Sequence, residues 1–147
     1  MNRKKTLKTL LAYVPADRAF ADRLRKVLSE REDIELVARE VREDKRWQAK
    51  VTEELRGCDL FVAVLSPGSI TSDWLGHELG FAFATCRAVV AVKTRPDLDL
   101  PVKLHGLFWL GKEDALKLSE WEAILPKFGG QFFRFISRDP YESPVGA

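Results

Sequence analysis

The stretch C-D-L-F-V-A-V-L-S-P-G-S-I-T-S-D-W-L-G-H-E-L-G-F-A-F-A-T-C-R, Cys58 to Arg87, decides the fold. Its first part, Leu60 to Leu65, is an unbroken apolar run rich in Val and Phe. The run is too short for a typical helix and reads as a strand buried on both faces, the kind found in parallel sheets. Ser66, Pro67 and Gly68 then break it, and Thr71, Ser72 and Asp73 are candidate N-caps for a helix. In that helix Leu75, Leu79, Ala82 and Cys86 recur at helical spacing, giving one apolar stripe to lay on a sheet. At about 100° per residue Glu78 falls on the edge of this stripe, with Trp74 one turn earlier on the same side. Open α/β sheets bind ligands at the carboxyl ends of their strands, so a carboxylate beside an indole here is the first candidate for chemistry. On composition alone, a half-exposed helix glutamate with no task is the commoner outcome.

Working outward, Leu7 to Val14 predicts a first strand ended by Pro15, and Asp17 predicts the cap of a helix to about Glu30 with Phe20, Leu24, Val27 and Leu28 inward. Ile34 to Ala38 predicts a second strand. Arg39 to Arg46 reads R-E-V-R-E-D-K-R, an exposed loop in which only Val41 is apolar enough to be buried. Trp47, Val51 and Leu55 space a second helix that stops at Gly57. Ala88 to Val92 predicts another doubly buried strand, Lys93 to Lys103 a surface loop, Leu104 to Leu110 a fifth strand, and Glu113 to Leu125 a last helix anchored by Leu116, Trp121 and Ile124. Gln131 to Ile136 fits an edge strand, a helix end or a self-association surface equally well, and Pro140 to Ala147 reads as a tail. Strands alternating with helices about five times predict a three-layer α/β domain with a parallel sheet and right-handed crossovers.

The 147 residues fit one domain, with a core spanning about residues 7 to 128. A composition 46% hydrophobic and 31% charged is globular, and a net charge of +2 gives no argument for a nucleic-acid partner. No apolar segment approaches the roughly 18 residues that cross a bilayer, and the N-terminus lacks a signal peptide's apolar core, so a soluble cytoplasmic protein is expected. Cys58 and Cys86 lie in apolar surroundings and read as reduced core residues.

Missing motifs narrow the chemistry. There is no G-x-x-x-x-G-K-[ST] and no G-x-G-x-x-G after the first strand. His77-Glu78 lacks the second His of H-E-x-x-H, and two histidines make a metal site an unfavoured reading. Ser66 and Ser69 sit in no G-x-S-x-G elbow and read as turn residues. One carboxylate with aromatic neighbours remains. That set suffices to cleave an N-glycosidic bond whose leaving group is already cationic, such as nicotinamide in NAD, which departs neutral and needs no general acid.

These residues carry a resemblance. V-L-S-P-G-S at Val64 to Ser69, S-D-W at Ser72 to Trp74 and E-L at Glu78 to Leu79 resemble TIR (Toll/interleukin-1 receptor) domains, in which a strand ends in L-S-P and S-x-W-x-x-x-E follows. Ala12-Tyr13 with its short polar loop, Trp47 and Val51, and the Cys58-Asp59 junction are similar to further parts of the pattern. The resemblance covers Leu7 to about Leu110 and implies a flavodoxin-like fold. In many bacterial and plant members and one animal member it also implies NAD cleavage by the helix glutamate, Glu78 here. By the same carry-over Tyr13, Trp47, Ser66, Ser72 and Trp74 line the nucleotide pocket, NAD is substrate with no further cofactor, and copies assemble through TIR–TIR contacts. Two departures are Ala12 in place of the usual serine and the absence of Gly or Pro from Arg39 to Arg46.

Three functions compete. The favoured one is a stand-alone bacterial-type NAD glycohydrolase or ADP-ribosyl cyclase in antiviral signalling, with a partner effector reading the product. The second is a non-catalytic interaction module using the Arg39 to Arg46 and Gln131 to Ile136 segments. The third follows from E-L-G-F-A at Glu78 to Ala82, which resembles E-L-G-Y-A of nucleoside 2-deoxyribosyltransferases. Those enzymes must protonate a neutral base, and no second acid is evident for that.

Overall fold

The computed structural model of the chain describes residues 6–42, 45–86, 88–98 and 108–125, without the side chains of Lys45, Trp74, Phe83 and Phe108. Within them β1 (Leu7–Tyr13), β2 (Ile34–Glu40), β3 (Leu60–Leu65), β4 (Ala88–Lys93) and β5 (Phe108–Gly111) form one sheet. Its order is β2-β1-β3-β4-β5, and all pairings are parallel. The helices are α1 (Arg18–Leu28), α2 (Lys45–Arg56), α3 (Asp73–Thr85), α4 (Lys112–Ala115) and α5 (Leu118–Ile124). This is the three-layer flavodoxin-like α/β fold that the strand–helix alternation predicts.

Side-chain alternation along each strand splits the interior into two cores. Leu10, Ala12, Phe61, Ala63, Leu65, Val89 and Ala91 face α2 and α3, meeting Trp47, Val51, Leu55, Leu75, Leu79 and Ala82. Leu11, Leu60, Val62, Val64, Val90 and Val92 face α1, α4 and α5, meeting Phe20, Leu24, Leu28, Ala115 and Trp121. All six residues of β3 and all six of β4 are buried, as strands covered on both faces require. Each fully buried leucine or valine contributes about 2 kcal/mol. Cys58 and Cys86 are buried free thiols; the Cys58 thiol donates to the Leu60 carbonyl at 2.9 Å, and the neighbouring Cys86 thiol together with burial holds it far toward its protonated form.

Several boundaries differ from expectation for physical reasons. The chain leaves β1 through a 3-10 turn at Pro15–Asp17 before α1 begins at Arg18 and ends at Leu28. Asp17 stands at the N-cap position but its side chain makes no capping bond. The predicted exposed loop Arg39 to Arg46 is shortened from both ends, since Arg39 and Glu40 complete β2 while Lys45 and Arg46 open α2. Pairing makes this possible: Arg39 binds Glu54 through two bonds of 2.8 and 2.6 Å, and Arg18 binds Glu40 at 2.7 and 2.8 Å. Val41 is buried, and its N–H donates to the Tyr13 carbonyl at 2.7 Å.

The last predicted helix is two. α4 stops at Ala115, and the Trp121 indole N–H donates to the Ala115 carbonyl at 2.7 Å, fixing a corner before α5. The surface loop expected from Lys93 begins one residue later, because Lys93 ends β4 and is buried. Residues 104 to 107 of the predicted fifth strand, Gln131 to Ile136 and the tail lie outside the described residues.

Candidate active site

Ser72 begins the site. Of the three candidate caps it is the one used, its Oγ accepting from the Leu75 N–H at 3.3 Å, with Asp73 in the first helical turn. The cap sets the rotation of α3, so that Leu75, Leu79 and Ala82 enter the α2–α3 core. Glu78, three residues after Leu75, enters with them. It is 1% exposed, deeper than the stripe-edge position the sequence suggests. Neither carboxyl oxygen has a hydrogen-bond partner among the described residues. Burial pushes its pKa up to about 8 from the usual 4.5, since the charged form loses water and gains nothing in return.

The turn before α3 is closed by its own hydroxyls. Ser66 N–H donates to Ser69 Oγ at 2.7 Å, and Ser69 N–H donates to Ser66 Oγ at 3.1 Å. Ser66 Oγ in turn donates to Asp17 Oδ2 at 2.6 Å. Both serines are buried and occupied, which suits turn residues and not a nucleophile.

The remaining sequence-predicted residues divide between the two faces. Trp47 is 8% exposed on α2, in the same core as the Leu75 and Leu79 side chains that flank Glu78. Tyr13 packs against the opposite core, with α1. Its phenol is raised from 10 first by burial and then by the Glu40 and Asp22 charges. Trp74 lies on α3 by its backbone, and its side chain is outside the described residues. The fold thus gathers Trp47, Ser72 and Glu78 on one side, places Ser66 at the carboxyl end of β3, and sets the Tyr13 ring on the other side. The sequence reading passed over Lys93, which is buried at the end of β4. Its Nζ lies 4.3 Å from the centre of the Trp109 ring and donates to the Pro96 carbonyl at 3.3 Å. The signal was a lysine closing an apolar A-V-V-A-V run.

Among the described residues no three His, Cys, Asp or Glu side chains gather as a metal site, and no helix is long and apolar enough to cross a membrane. A family model described as the TIR domain matches residues 10–125. The chain belongs to the TIR domain family. No curated protein matches it. Among solved structures it is similar to the TIR domain of the Toll-related receptor TRR-2 from the lower metazoan Hydra magnipapillata. The TM-score is 0.64 at 16% identity, over 84% of this chain and 99% of the Hydra chain, a likeness of fold.

Proposed function

We propose that this TIR domain cleaves the nicotinamide–ribose bond of NAD with Glu78 as its catalytic carboxylate. One observation carries the reading: a carboxyl group at 1% exposure whose two oxygens have no partner among the described residues. An unpaired buried polar group costs on the order of 1–3 kcal/mol, and such a group is a mark of functional sites more than of packing.

The chemistry follows from charge. The nicotinamide ring of NAD is cationic while bonded to ribose, so bringing it beside Glu78 favours loss of the carboxyl proton. The carboxylate then accepts hydrogen bonds from ribose hydroxyls and stabilises the positive charge that grows on the anomeric carbon as the C–N bond breaks. Nicotinamide takes the bonding pair and leaves neutral. Water attacking the same carbon gives ADP-ribose and releases one proton; an adenine nitrogen attacking it gives a cyclic product. In this reading Trp47 and Trp74 provide stacking surface, Ser72 holds the start of α3, and Ser66 shapes the pocket rim at the carboxyl end of β3, whereas the Tyr13 ring, on the α1 side, takes no part. Assembly between copies, and an effector that responds to the product in antiviral defence, extend the same proposal.

The deciding experiment measures nicotinamide release from NAD by concentrated purified protein, with Glu78→Gln alongside. Release by the native protein alone supports the reading. No release at high concentration or with a crowding agent, or equal release by the variant, rejects it and leaves the interaction module.

A further inference from the structure

β2 ends the sheet and pairs with β1 on one side only. The Leu7 N–H donates to the Asp33 carbonyl at 2.6 Å and the Val41 N–H to the Tyr13 carbonyl at 2.7 Å. Backbone groups alternate in direction along a strand, so Glu35, Val37 and Arg39 also turn theirs toward β1, and those of Leu36 and Ala38 point outward. Among the described residues no backbone group meets these outward donors and acceptors. An open edge is a template for another strand, and proteins that keep an edge single blunt it with proline, lysine or a bulge. Ile34–Glu40 reads I-E-L-V-A-R-E in unbroken register and has none of these.

The side chains on the α2 face of this edge run acid, apolar, base. Glu35 is exposed and forms no ion pair among the described residues. Val37, at 37% exposure, is the exposed large hydrophobic side chain among the described residues. It stands at a hollow of about 360 Å³ between β2 and the end of α2, lined also by Leu10, Glu53 and Cys58. Arg39 holds Glu54 through Nε and Nη2, and its Nη1 carries further N–H donors.

That order is complementary to its own reverse. Set a second copy antiparallel, with a two-fold axis at Val37, and Val37 meets Val37 while each Glu35 meets the Arg39 of the other copy. The same register puts Leu36 opposite Ala38, so their outward N–H and C=O groups exchange hydrogen bonds. An axis at Glu35 or Arg39 sets like charges face to face, which is unfavourable, and an axis at Leu36 or Ala38 sets Val37 against a charge.

We infer that two copies of this chain associate through their β2 edges, antiparallel about Val37, joining their sheets into one. A single strand pair buries little area, so the dimer is reversible, and its exposed Glu35–Arg39 pairs make it weaken with salt. The inference does not rest on NAD cleavage, since Glu78 is on α3, which follows β3, and β1 separates β3 from this edge.

The test is sedimentation of the full chain at low salt, at concentrations rising to its solubility limit, together with disulfide capture by diamide. The native chain is expected to pass reversibly from monomer to dimer. Val37→Lys, at an exposed position, is expected to weaken association at least about tenfold by facing two cations at the axis, and Glu35→Lys to weaken it about threefold or more. Val37→Cys is expected to give a covalent dimer, because residues opposite each other in a pair without mutual hydrogen bonds have Cα atoms about 4.5 Å apart, within disulfide reach. Glu35→Cys is expected to give little, its two thiols being offset by about 13 Å along the strands. The native chain, whose own cysteines are buried, is the control. The inference is overturned if the native chain stays monomeric, as it would with another segment or partner on the edge. It is overturned equally if Val37→Lys dimerises as native, or if Val37→Cys cross-links no better than Glu35→Cys.

Discussion

Ser66 Oγ and Asp17 Oδ2 lie 2.6 Å apart, so one charge-assisted hydrogen bond ties the end of β3 to the turn before α1, across 49 residues of chain. Bonds to ionised partners contribute about 1.5–3 kcal/mol when sheltered, and this one is part-buried. Ser66→Ala is expected to lower unfolding free energy by about 1.5 kcal/mol, partly through the Ser69 N–H that it also orphans. A urea-denaturation cycle with Asp17→Ala should return a coupling of about 1 kcal/mol. A coupling indistinguishable from zero would mean the contact adds nothing in solution.

Glu78 makes stability depend on pH in a defined direction. Its folded pKa of about 8 lies above the ordinary 4.5, so between those values the native state holds a proton that the unfolded chain has released. Stability is therefore greatest below about pH 4.5 as far as this group is concerned, falls as pH rises, and levels off above pH 8. Glu78→Gln removes the titrating proton. Relative to native, the variant should gain on the order of 2–4 kcal/mol between pH 5 and pH 8.5, measured by denaturation at both values. A difference that does not change with pH would contradict the raised pKa.

If the ionised carboxylate is the working form, kcat/KM for nicotinamide release should climb with pH and flatten above about 8. The midpoint of kcat itself should lie lower, because bound cationic substrate favours ionisation. A profile flat from pH 6 to 9 would speak against Glu78 as the titrating group.

The corner between α4 and α5 rests on one indole. Trp121 is fully buried and its N–H reaches Ala115 O at 2.7 Å. Trp121→Phe keeps most of the volume but leaves that carbonyl unpaired, so a loss of about 1–2 kcal/mol is expected, against about 3–5 for Trp121→Ala. Thermal denaturation of both variants checks the order.

What was legible in the sequence was local. The apolar runs of β3 and β4, the helical spacing of Trp47, Val51 and Leu55, and a cap among Thr71, Ser72 and Asp73 all depend on neighbours a few residues away, and the structure has the runs and the spacing and uses Ser72 of the three. Asp17 has the right chemistry for a helix cap, but its partner is Ser66, which no local pattern announces. Arg39 and Glu40 looked like loop because charge was taken for exposure, whereas Glu54 and Arg18 balance them at the end of β2. Glu78 sits deeper than its helical angle suggests because α3 is covered by α2 as well as by the sheet, which widens its buried arc. Trp47 packs in the same core as Leu75 and Leu79 of the Glu78 helix, a tertiary placement that helical spacing alone does not show; the side of the sheet to which Tyr13 turned depended on strand parity that the pattern did not fix.

The complete burial of β3 and β4 has a cost before folding is finished. L-F-V-A-V-L and A-V-V-A-V contain no proline and no charge, which are the properties of segments that accrete into intermolecular β-structure. Asp59, Arg87 and Lys93 stand at their borders as the adjacent charged residues. Each strand needs both helical layers to cover it, and the layer built from α4 and α5 is synthesised last. A ribosome-bound chain that has not yet released α5 therefore still exposes one side of these sticky strands, and dilution from denaturant should lose more protein to precipitate as chain concentration rises.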